Sequence, residues 1–483
     1  MRKVKYLFFV FSYISCLFFA AGAIAADNLD TGVEKYLGKK QMGDFSALIK
    51  TRTIRALVPY SKTFYFLDGA TQKGATYELL KEFEKYLNKK LKTKHLKVHV
   101  VIIPTTRGQL LEASQVGRGE IAAGNLTITK ERQKQVDFSA PFAKNVKEIV
   151  VTGSAAPKIA SLEDLGGKEV FVRKSSSYYG SLLSLNRKLK AAGKPVVEIV
   201  ETSEFLEDED LLEMVSAGLI PIIVMDDHKA KFWEKVQKNV TMHYDLVLNG
   251  GGEIGWAIRQ NSPELKRVIN QFVQKHKKGT LFGNIIIKRY LVDTSEVKNN
   301  VQASEMKRFR KTIDLFRKYG EQYSLDWLLL AAMAYQESTI DQSKRSQAGA
   351  VGVMQILPST AGDKNVGIKE IDKIEPNIHA GTKYIRFMVD RYFDDPKIDA
   401  LNKGLFAFAS YNAGPAKVAK LRREAAQSGL NPDVWFGNVE VIAAKRIGRE
   451  TVQYVSNIFK YYTAYLYVVR QNKMKKAVKE AYK

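Results

Sequence analysis

The apolar pattern of the chain changes at about Val292, and this change most constrains how the chain can fold. Before it, short strand-like runs alternate with amphipathic helical stretches. The strand-like runs are 53–60, 98–103, 149–152, 169–172 and 222–225, and the helical stretches include 77–91 and 107–117. This alternation predicts an α/β domain with largely parallel sheets.

After Val292 the sequence predicts a different kind of domain. The polar stretch 293–305 has no apolar periodicity and is the candidate linker. Only helical patterns follow, at 306–319, 326–337, 378–392, 405–411, 441–447 and 451–469. We therefore expect a mainly α second domain at 306–483. Its basic end, 471–483, predicts a solvated helical tail.

The N-terminus has the three-part layout of a secretory signal peptide. A short basic segment precedes an apolar run at 6–20, and small residues at 21–26 end in an A-x-A site. The apolar run is shorter than the ~20 residues that a membrane span needs, which disfavours an uncleaved anchor. We expect residues 1–26 to be a signal peptide that is cleaved near Ala25 or Ala26.

The chain offers little for metal or cofactor chemistry. Its single cysteine, Cys16, lies in the apolar run of the leader. Lipidation of Cys16 is an alternative, although Tyr13 stands where a lipobox has Leu. His95 and His99 lie in a Lys-rich stretch, which is typical of a solvated surface and not of a zinc site. No phosphate-binding glycine loop is visible. We expect no metal and no cofactor.

The net charge of +25 predicts an anionic partner. Charge alone leaves nucleic acid, an anionic membrane face and an acidic wall polymer open. Export argues against nucleic acid and favours the bacterial envelope. The 483 residues are too many for one core, so two or three domains are expected.

Glu337 is the candidate general acid of the second domain. The preceding run, 328–335, is apolar on all sides and predicts a buried helix. A carboxyl group at the end of such a helix is desolvated, which raises its pKa toward the value that a general acid needs near neutral pH. By itself this signal is weak, because a Glu at a helix end is usually solvated.

The motifs around Glu337 resemble the signature of the soluble-lytic-transglycosylase family. They are Glu337–Ser338, Ser346, Gly349–Ala350, Gly352 and Met354–Gln355, then Asn377 with Gly381 and Tyr384, then 411–414, and then Glu450–Thr451 with Tyr454–Val455. Val353 stands where the family usually has Leu. The resemblance covers roughly 310–469 and implies a lysozyme-like fold.

This resemblance implies a murein-cleaving site with one carboxylate. Glu337 would protonate the glycosidic oxygen and then accept a proton from the muramoyl C6 hydroxyl, giving a 1,6-anhydromuramic product. The implied substrate-binding residues are Ser338, Ser346, Gln355, Tyr411, Asn412 and Tyr454. Tyr454 is also expected to hydrogen-bond near Glu337. The alternative is a hydrolase in which Asp341 serves as a second carboxylate.

The first domain resembles the solute-binding proteins that capture polar amino acids. The matching residues are Gly117, Glu120, 127–129, Glu131–Arg132, 137–139 and Phe142, and the likeness extends from about 53 to 290. It implies two lobes that close on a ligand. Arg132 would bind the ligand carboxylate, with Asn125 and Thr127 beside it. Ser176 would begin an anion-binding loop, and Asp226 would hold the ligand amine.

Together the halves resemble the membrane-bound lytic murein transglycosylase F type. The fold expected is a two-lobed periplasmic-binding-protein-like α/β domain at 27–292, regulatory or anchoring, before the lysozyme-like domain. The resemblance implies peptidoglycan glycan strands as substrate, a muropeptide or amino acid as ligand, and a periplasmic, peripheral place at the inner face of the outer membrane. The alternative is an exported amino-acid or peptide binding protein with an inactive, wall-anchoring second domain.

Overall fold

The computed structural model describes residues 33–295 and 303–482. The predicted signal peptide at 1–26, with Cys16, lies outside these residues. The first domain carries eleven strands: β1 (Thr53–Val58), β2 (Phe66–Asp68), β3 (Thr71–Lys73), β4 (His99–Pro104), β5 (Ile121–Thr127), β6 (Asp137–Phe138), β7 (Ala143–Gly153), β8 (Glu169–Arg173), β9 (Glu198–Thr202), β10 (Ile222–Asp226) and β11 (Val240–Ile258).

Nine of these strands form one mixed sheet in the order β4-β1-β5-β11-β7-β10-β8-β9, with β6 paired to β11. Strand β1 is parallel to β4 and β5, and β8 is parallel to β9 and β10. The two parallel sets define lobe 1 and lobe 2. The long strands β7 and β11 are antiparallel to each other and to the strands beside them, and they join the two sets. The predicted two-lobed α/β fold is confirmed, while the expectation of a largely parallel sheet holds only within each lobe.

Helices cover both faces of the sheet. They are α1 (Val33–Leu37), α2 (Phe45–Thr51), α3 (Ala75–Lys90), α4 (Leu110–Gln115), α5 (Lys130–Gln133), α6 (Ser177–Ala191), α7 (Asp208–Ser216), α8 (Asp227–Trp233), α9 (Pro263–His276) and α10 (Leu281–Leu291). In lobe 1 the rings of Phe83, Trp256 and Phe272 contact one another with centroids between 5.2 and 5.9 Å apart. These aromatic rings supply much of the apolar surface that lobe 1 buries.

The second domain is mainly α, as predicted. Its helices are α11 (Ala303–Gln322), α12 (Trp327–Ser338), α13 (Pro358–Gly362), α14 (Ile374–Tyr392), α15 (Ala400–Ala413), α16 (Pro415–Gln427), α17 (Glu440–Arg446) and α18 (Arg449–Ala481). Helix α12 is the centre of this domain, because every residue from Leu328 to Ala334 is buried. Asp326 caps its N-terminus by accepting from the Leu328 N–H at 2.8 Å. The run 328–335 is apolar on all sides because other elements surround the helix.

The two domains share one apolar core. Leu57, Val101 and Ile103 of lobe 1 belong to the same buried cluster as α12 and α18. Polar contacts lie at the edge of this interface between the two domains. Lys460 bonds Glu84 at 2.5 Å, and the Tyr465 hydroxyl donates to the Ala70 carbonyl at 2.7 Å. The 33-residue helix α18 therefore docks along lobe 1 as well as within its own domain.

The basic tail is helical and exposed on one side, as its charge pattern predicts, but its other side docks on lobe 2 and is not solvated. Lys475 and Lys479 both form ion pairs with Asp210 of lobe 2, whose side chain is fully buried. Val478 and Tyr482 pack against the apolar core of lobe 2. The tail is basic because it neutralises an acidic helix start on the other domain, and sequence periodicity cannot show such a distant partner.

We predict that Lys475→Met lowers the free energy of unfolding by about 2 kcal/mol, because it leaves the Asp210 carboxylate buried with less compensation. The matched control is Lys476→Met, since the side chain of Lys476 is 80% exposed and that of Lys475 only 14%. The control should change stability by less than about 0.5 kcal/mol. Thermal and denaturant unfolding measure both. Equal effects in the two variants would contradict the docked tail.

Candidate active site

Glu337 lies in the last turn of α12. Thr339 ends the helix with a left-handed backbone at φ 59°, so the chain turns away directly after Glu337. Burial raises the pKa of the Glu337 carboxyl to about 7. Burial disfavours the charged form, and the apolar length of α12 places this carboxyl where water reaches it poorly. A carboxyl with this pKa can both donate and accept a proton near neutral pH.

The hydroxyl of Tyr454 donates a short hydrogen bond to Glu337 Oε1. Tyr454 belongs to the first turns of α18 and is 7% exposed. This bond favours the carboxylate and so works against the effect of burial on the pKa of Glu337. Burial, and then the charge of Glu337, raises the pKa of Tyr454 well above its ordinary value, so its hydroxyl stays protonated and remains a donor. The contact predicted between these two side chains is present.

Ser338 ties the end of α12 to the loop that follows. Its hydroxyl donates to the Val353 carbonyl at 2.8 Å and accepts from the Asp341 N–H at 3.1 Å. It is only 4% exposed. Through these contacts Ser338 holds the following loop against the end of α12, next to Glu337. Direct contact with substrate stays a prediction for this residue.

Ser346 and Gln355 shape the same loop. The Ser346 hydroxyl accepts from the Ala350 N–H at 2.9 Å and closes a turn. The amide nitrogen of Gln355 donates to the carbonyls of Gly352 at 2.8 Å and Lys344 at 3.2 Å. Gln355 has a left-handed backbone at φ 46°, which is uncommon without glycine. Hydrogen bonds within the loop thus fix its conformation.

Asn377 fixes this loop from α14. Its side-chain oxygen accepts from the Met354 N–H at 2.8 Å, and its amide nitrogen donates to the Val351 and Ile371 carbonyls at 2.8 and 2.9 Å. Asn377 is fully buried. It occurs in the sequence motif that includes Gly381, so a signal for it existed, although its role was not assigned.

Gln342 is a second brace that sequence reasoning missed. Its Oε1 accepts from the Val353 N–H at 3.2 Å, and its Nε2 donates to the Ile371 carbonyl at 3.0 Å. Gly352 lies against it with φ 75°, where a Cβ would fall 2.4 Å from Gln342 Nε2. Glycine is therefore required at 352 for both backbone and space. No pattern in the sequence pointed to Gln342.

Tyr411 and Asn412 enter the site from the end of α15. The Tyr411 hydroxyl donates to the Met354 carbonyl at 2.8 Å, and its ring lies 5.6 Å from the ring of Tyr384. Burial, and then the charge of Glu337, raises the pKa of Tyr411 well above its ordinary value. Asn412 is exposed, and its side-chain oxygen accepts from the Thr451 hydroxyl at 2.7 Å. The structure thus brings Glu337, Tyr411 and Tyr454 together.

Asp341 has a local partner in the loop. Its Oδ1 accepts from the Ser343 N–H at 2.9 Å and from the Ser343 hydroxyl at 2.7 Å, so the carboxylate caps the turn that follows. For Glu337, burial is the largest cause of the raised pKa, and the Tyr454 hydrogen bond opposes it.

A second candidate site lies between the two lobes of the first domain. It is a cleft of about 1000 Å³. All five predicted ligand-binding residues line it, namely Asn125, Thr127, Arg132, Ser176 and Asp226. A cleft of this size is in the range of small-molecule sites.

In this structure the charged residues of the cleft contact groups of the chain itself. Arg132 donates to the carbonyl of Thr127 at 2.8 Å and, across the cleft, to that of Ser175 at 2.7 Å. Burial lowers the pKa of Arg132 to about 10. Asp226 accepts from Asn125 at 2.9 Å and pairs with Lys229 at 3.1 Å. A carboxylate or amine of a ligand has to compete with these contacts.

Sequence reasoning missed three polar residues that lie close to Asp226. Lys229 lies between Asp226 and Asp208, with its Nζ 2.7 Å from the latter. His228 contacts the Asn125 side chain at 3.2 Å, and the buried Glu148 accepts from the Ser181 hydroxyl at 2.5 Å. His228 and Lys229 lie two and three residues after Asp226 in the sequence, so their closeness to Asp226 was the available signal. Glu148 pairs with Asp226 across two strands, which only the fold reveals.

Comparison with known proteins places both domains in families. Residues 54–291 match bacterial extracellular solute-binding proteins, family 3, and residues 314–433 match the transglycosylase SLT domain. A solved substrate-binding protein of an amino acid ABC transporter is 21% identical, with a TM-score of 0.41, over 50% of this chain and 100% of its own.

Relatives match across both domains. A membrane-bound lytic murein transglycosylase F from Pseudomonas fluorescens is 28% identical over 86% of this chain and 85% of its own. The protein of that name from Desulfosudis oleivorans is 29% identical over 82% of this chain and 86% of its own. The chain is therefore similar, over most of its length, to the membrane-bound lytic murein transglycosylase F proteins, and the SLT match of its second domain indicates an enzyme of the lytic transglycosylase class.

Proposed function

We propose that this enzyme degrades peptidoglycan by cleaving the β-1,4 bond between N-acetylmuramic acid and N-acetylglucosamine without water. The product would carry a 1,6-anhydromuramic end. The observation that carries the proposal is the partly buried Glu337 carboxyl, whose pKa is raised to about 7 and which accepts a hydrogen bond from Tyr454. One group that is half protonated near neutral pH can serve as acid and then as base.

The proposed reaction balances on Glu337 alone. The protonated carboxyl gives its proton to the glycosidic oxygen as the bond to the anomeric carbon breaks. The muramoyl C6 hydroxyl then bonds that carbon and gives its proton to the Glu337 carboxylate, which restores the acid. Tyr454 hydrogen-bonds the carboxylate between the two steps and keeps it oriented. Asp341, which caps its own turn, takes no part.

The loop and α15 would form the walls for the glycan strand. Gln355, Asn412 and Ser346 offer amide and hydroxyl groups that suit N-acetyl and hydroxyl substituents. The ring of Tyr411 offers an apolar face for a sugar. Ser338 would act by holding the loop beside Glu337, since its hydroxyl contacts the backbone of that loop.

The first domain would bind a muropeptide or an amino acid in its cleft and regulate the enzyme. Helix α18 supports this proposal. It carries Tyr454 at one end, contacts lobe 1 through Lys460 and Tyr465, and pairs with Asp210 of lobe 2 near its other end. A change in lobe closure would therefore act on the helix that holds the hydrogen-bond donor of Glu337.

The enzyme would work in the periplasm, peripheral to the inner face of the outer membrane. The net charge of +25 suits anionic partners in the envelope. In the parts of the chain that the structure describes, no helix is both long and apolar enough to cross a membrane.

Separate substitutions of Glu337 and Asp341 test the proposed cleavage mechanism. We expect Glu337→Gln to lower the release of soluble fragments from purified peptidoglycan by about 1000-fold, because the proton donor is lost. Asp341→Asn, the matched control, should stay within about threefold of wild type. Mass spectrometry of the wild-type fragments should show anhydro ends, lighter by one water than hydrolysed ends. Hydrolysed ends together with an inactive Asp341→Asn variant would favour the hydrolase alternative.

Tyr454→Phe should move the alkaline limb of the pH–rate profile to higher pH. Glu337 must be protonated to begin the reaction, so activity falls as pH rises through its pKa of about 7. The Tyr454 hydrogen bond lowers that pKa, and its loss raises it, by roughly half to one unit. Tyr461→Phe, on the same helix, is the control and should leave the limb in place. A limb that stays fixed in both variants would contradict the assigned role of Tyr454.

The regulatory proposal is tested with purified disaccharide-peptide fragments as the probe. We expect them to change the rate of peptidoglycan digestion by about fivefold or more in the wild type. Arg132→Leu should abolish this response, because Arg132 links the lobes across the cleft. Arg187→Leu, on an exposed face of lobe 2, should keep it. No response in the wild type at saturating fragment would contradict regulation by this class of ligand.

A further inference from the structure

Helix α10 presents an apolar ridge to solvent. Leu281 is 80% exposed, Ile285 44% and Val292, which caps the helix, 48%. At 100° per residue these three positions fall within about 40° of one another, so their side chains form one line along the helix. These three exposed side chains therefore lie on one side of α10, and we call Leu281, Ile285 and Val292 together the ridge.

The opposite face of α10 holds this ridge firmly outward. Ile286 and Tyr290 are buried and pack with Phe64 and Phe66 of lobe 1. Thr280 caps the N-terminus of the helix by accepting from the Gly283 N–H at 3.2 Å. Because the inner face already packs in an apolar core, α10 cannot rotate its ridge inward without exposing Ile286 and Tyr290.

Basic side chains surround the ridge. Lys288 lies on the same line between Ile285 and Val292, and Lys278 is exposed in the preceding turn. The Lys235 ammonium donates to the Val292 carbonyl at 3.1 Å.

Two acidic side chains also lie at the ridge. Glu78 pairs with Arg289 at 3.5 Å, and Asp293 follows Val292. Cations still outnumber these carboxylates, so the surface around the ridge attracts anions.

We propose that this ridge docks the enzyme on an anionic phospholipid surface. The three apolar side chains would enter the boundary between headgroups and acyl chains, while the surrounding lysines contact lipid phosphates. The inference deepens the proposed peripheral membrane placement and rests on it. Three side chains expose roughly a few hundred Å², well below the ~800 Å² per partner of a stable protein interface, so a lipid surface fits better than a second copy of the chain.

Vesicle cosedimentation tests the proposal on the full mature chain. The probe is vesicles of phosphatidylethanolamine, phosphatidylglycerol and cardiolipin, with phosphatidylcholine vesicles for comparison. We expect Leu281→Asp and Ile285→Asp each to weaken binding to the anionic vesicles by about tenfold. The matched control is Leu219→Asp, because Leu219 is 50% exposed in a turn of lobe 2. It should bind as wild type does.

Three results would overturn the proposal. The first is unchanged vesicle binding in both ridge variants. The second is a wild-type dimer in light scattering that Leu281→Asp dissociates, which would make the ridge a protein interface. The third is a larger loss of thermal stability in Leu281→Asp than in Leu219→Asp, which would mean that the chain itself covers the ridge. Digestion of purified peptidoglycan without vesicles should stay unchanged in all three variants, so a failure of the catalytic proposal is seen separately.

Discussion

The burial of one carboxyl group determines the rest of this site. Helix α12 is apolar on all sides, and its last turn carries Glu337 to the edge of the core, where its side chain is only partly exposed. The resulting rise of its pKa to about 7 gives the group two usable protonation states near neutral pH. The contact with Tyr454 limits this rise and fixes the orientation of the carboxyl. Hydrogen bonds with Asn377 and Gln342 hold the loop beside it in place.

Helix α18 contacts both domains and joins them physically. Its first turns carry Tyr454, its middle packs on lobe 1, and its end pairs with the buried Asp210 of lobe 2. From Tyr454 to Lys475 it spans about 31 Å at the usual helical rise. An element of this length, held at both ends, gives the first domain a direct physical contact with the environment of Glu337. The far end of the helix contacts lobe 2, which is one of the two lobes that form the cleft.

Much of this structure could be predicted from local sequence patterns, namely apolar periodicity and short motifs. The period of the apolar residues separated an α/β domain from a mainly α domain, and the motifs found Glu337, Tyr411 and Tyr454, which the fold brings together. What escaped prediction depends on distant partners. The basic tail indicated a solvated end, yet Lys475 meets a carboxylate more than two hundred residues away. Gln342 braces a loop although no motif includes it, and Arg132 donates to the backbone of the opposite lobe.

The central claim is that Glu337 is a desolvated carboxyl that is half protonated near neutral pH. Difference infrared spectroscopy between wild type and Glu337→Gln, across a titration from about pH 4 to about pH 9, observes this group directly. A protonated-carboxyl band that disappears with a midpoint near pH 7 is the predicted result. A midpoint near the ordinary value of about 4.3 would contradict the account, because the group would then be ionised and could not donate the first proton.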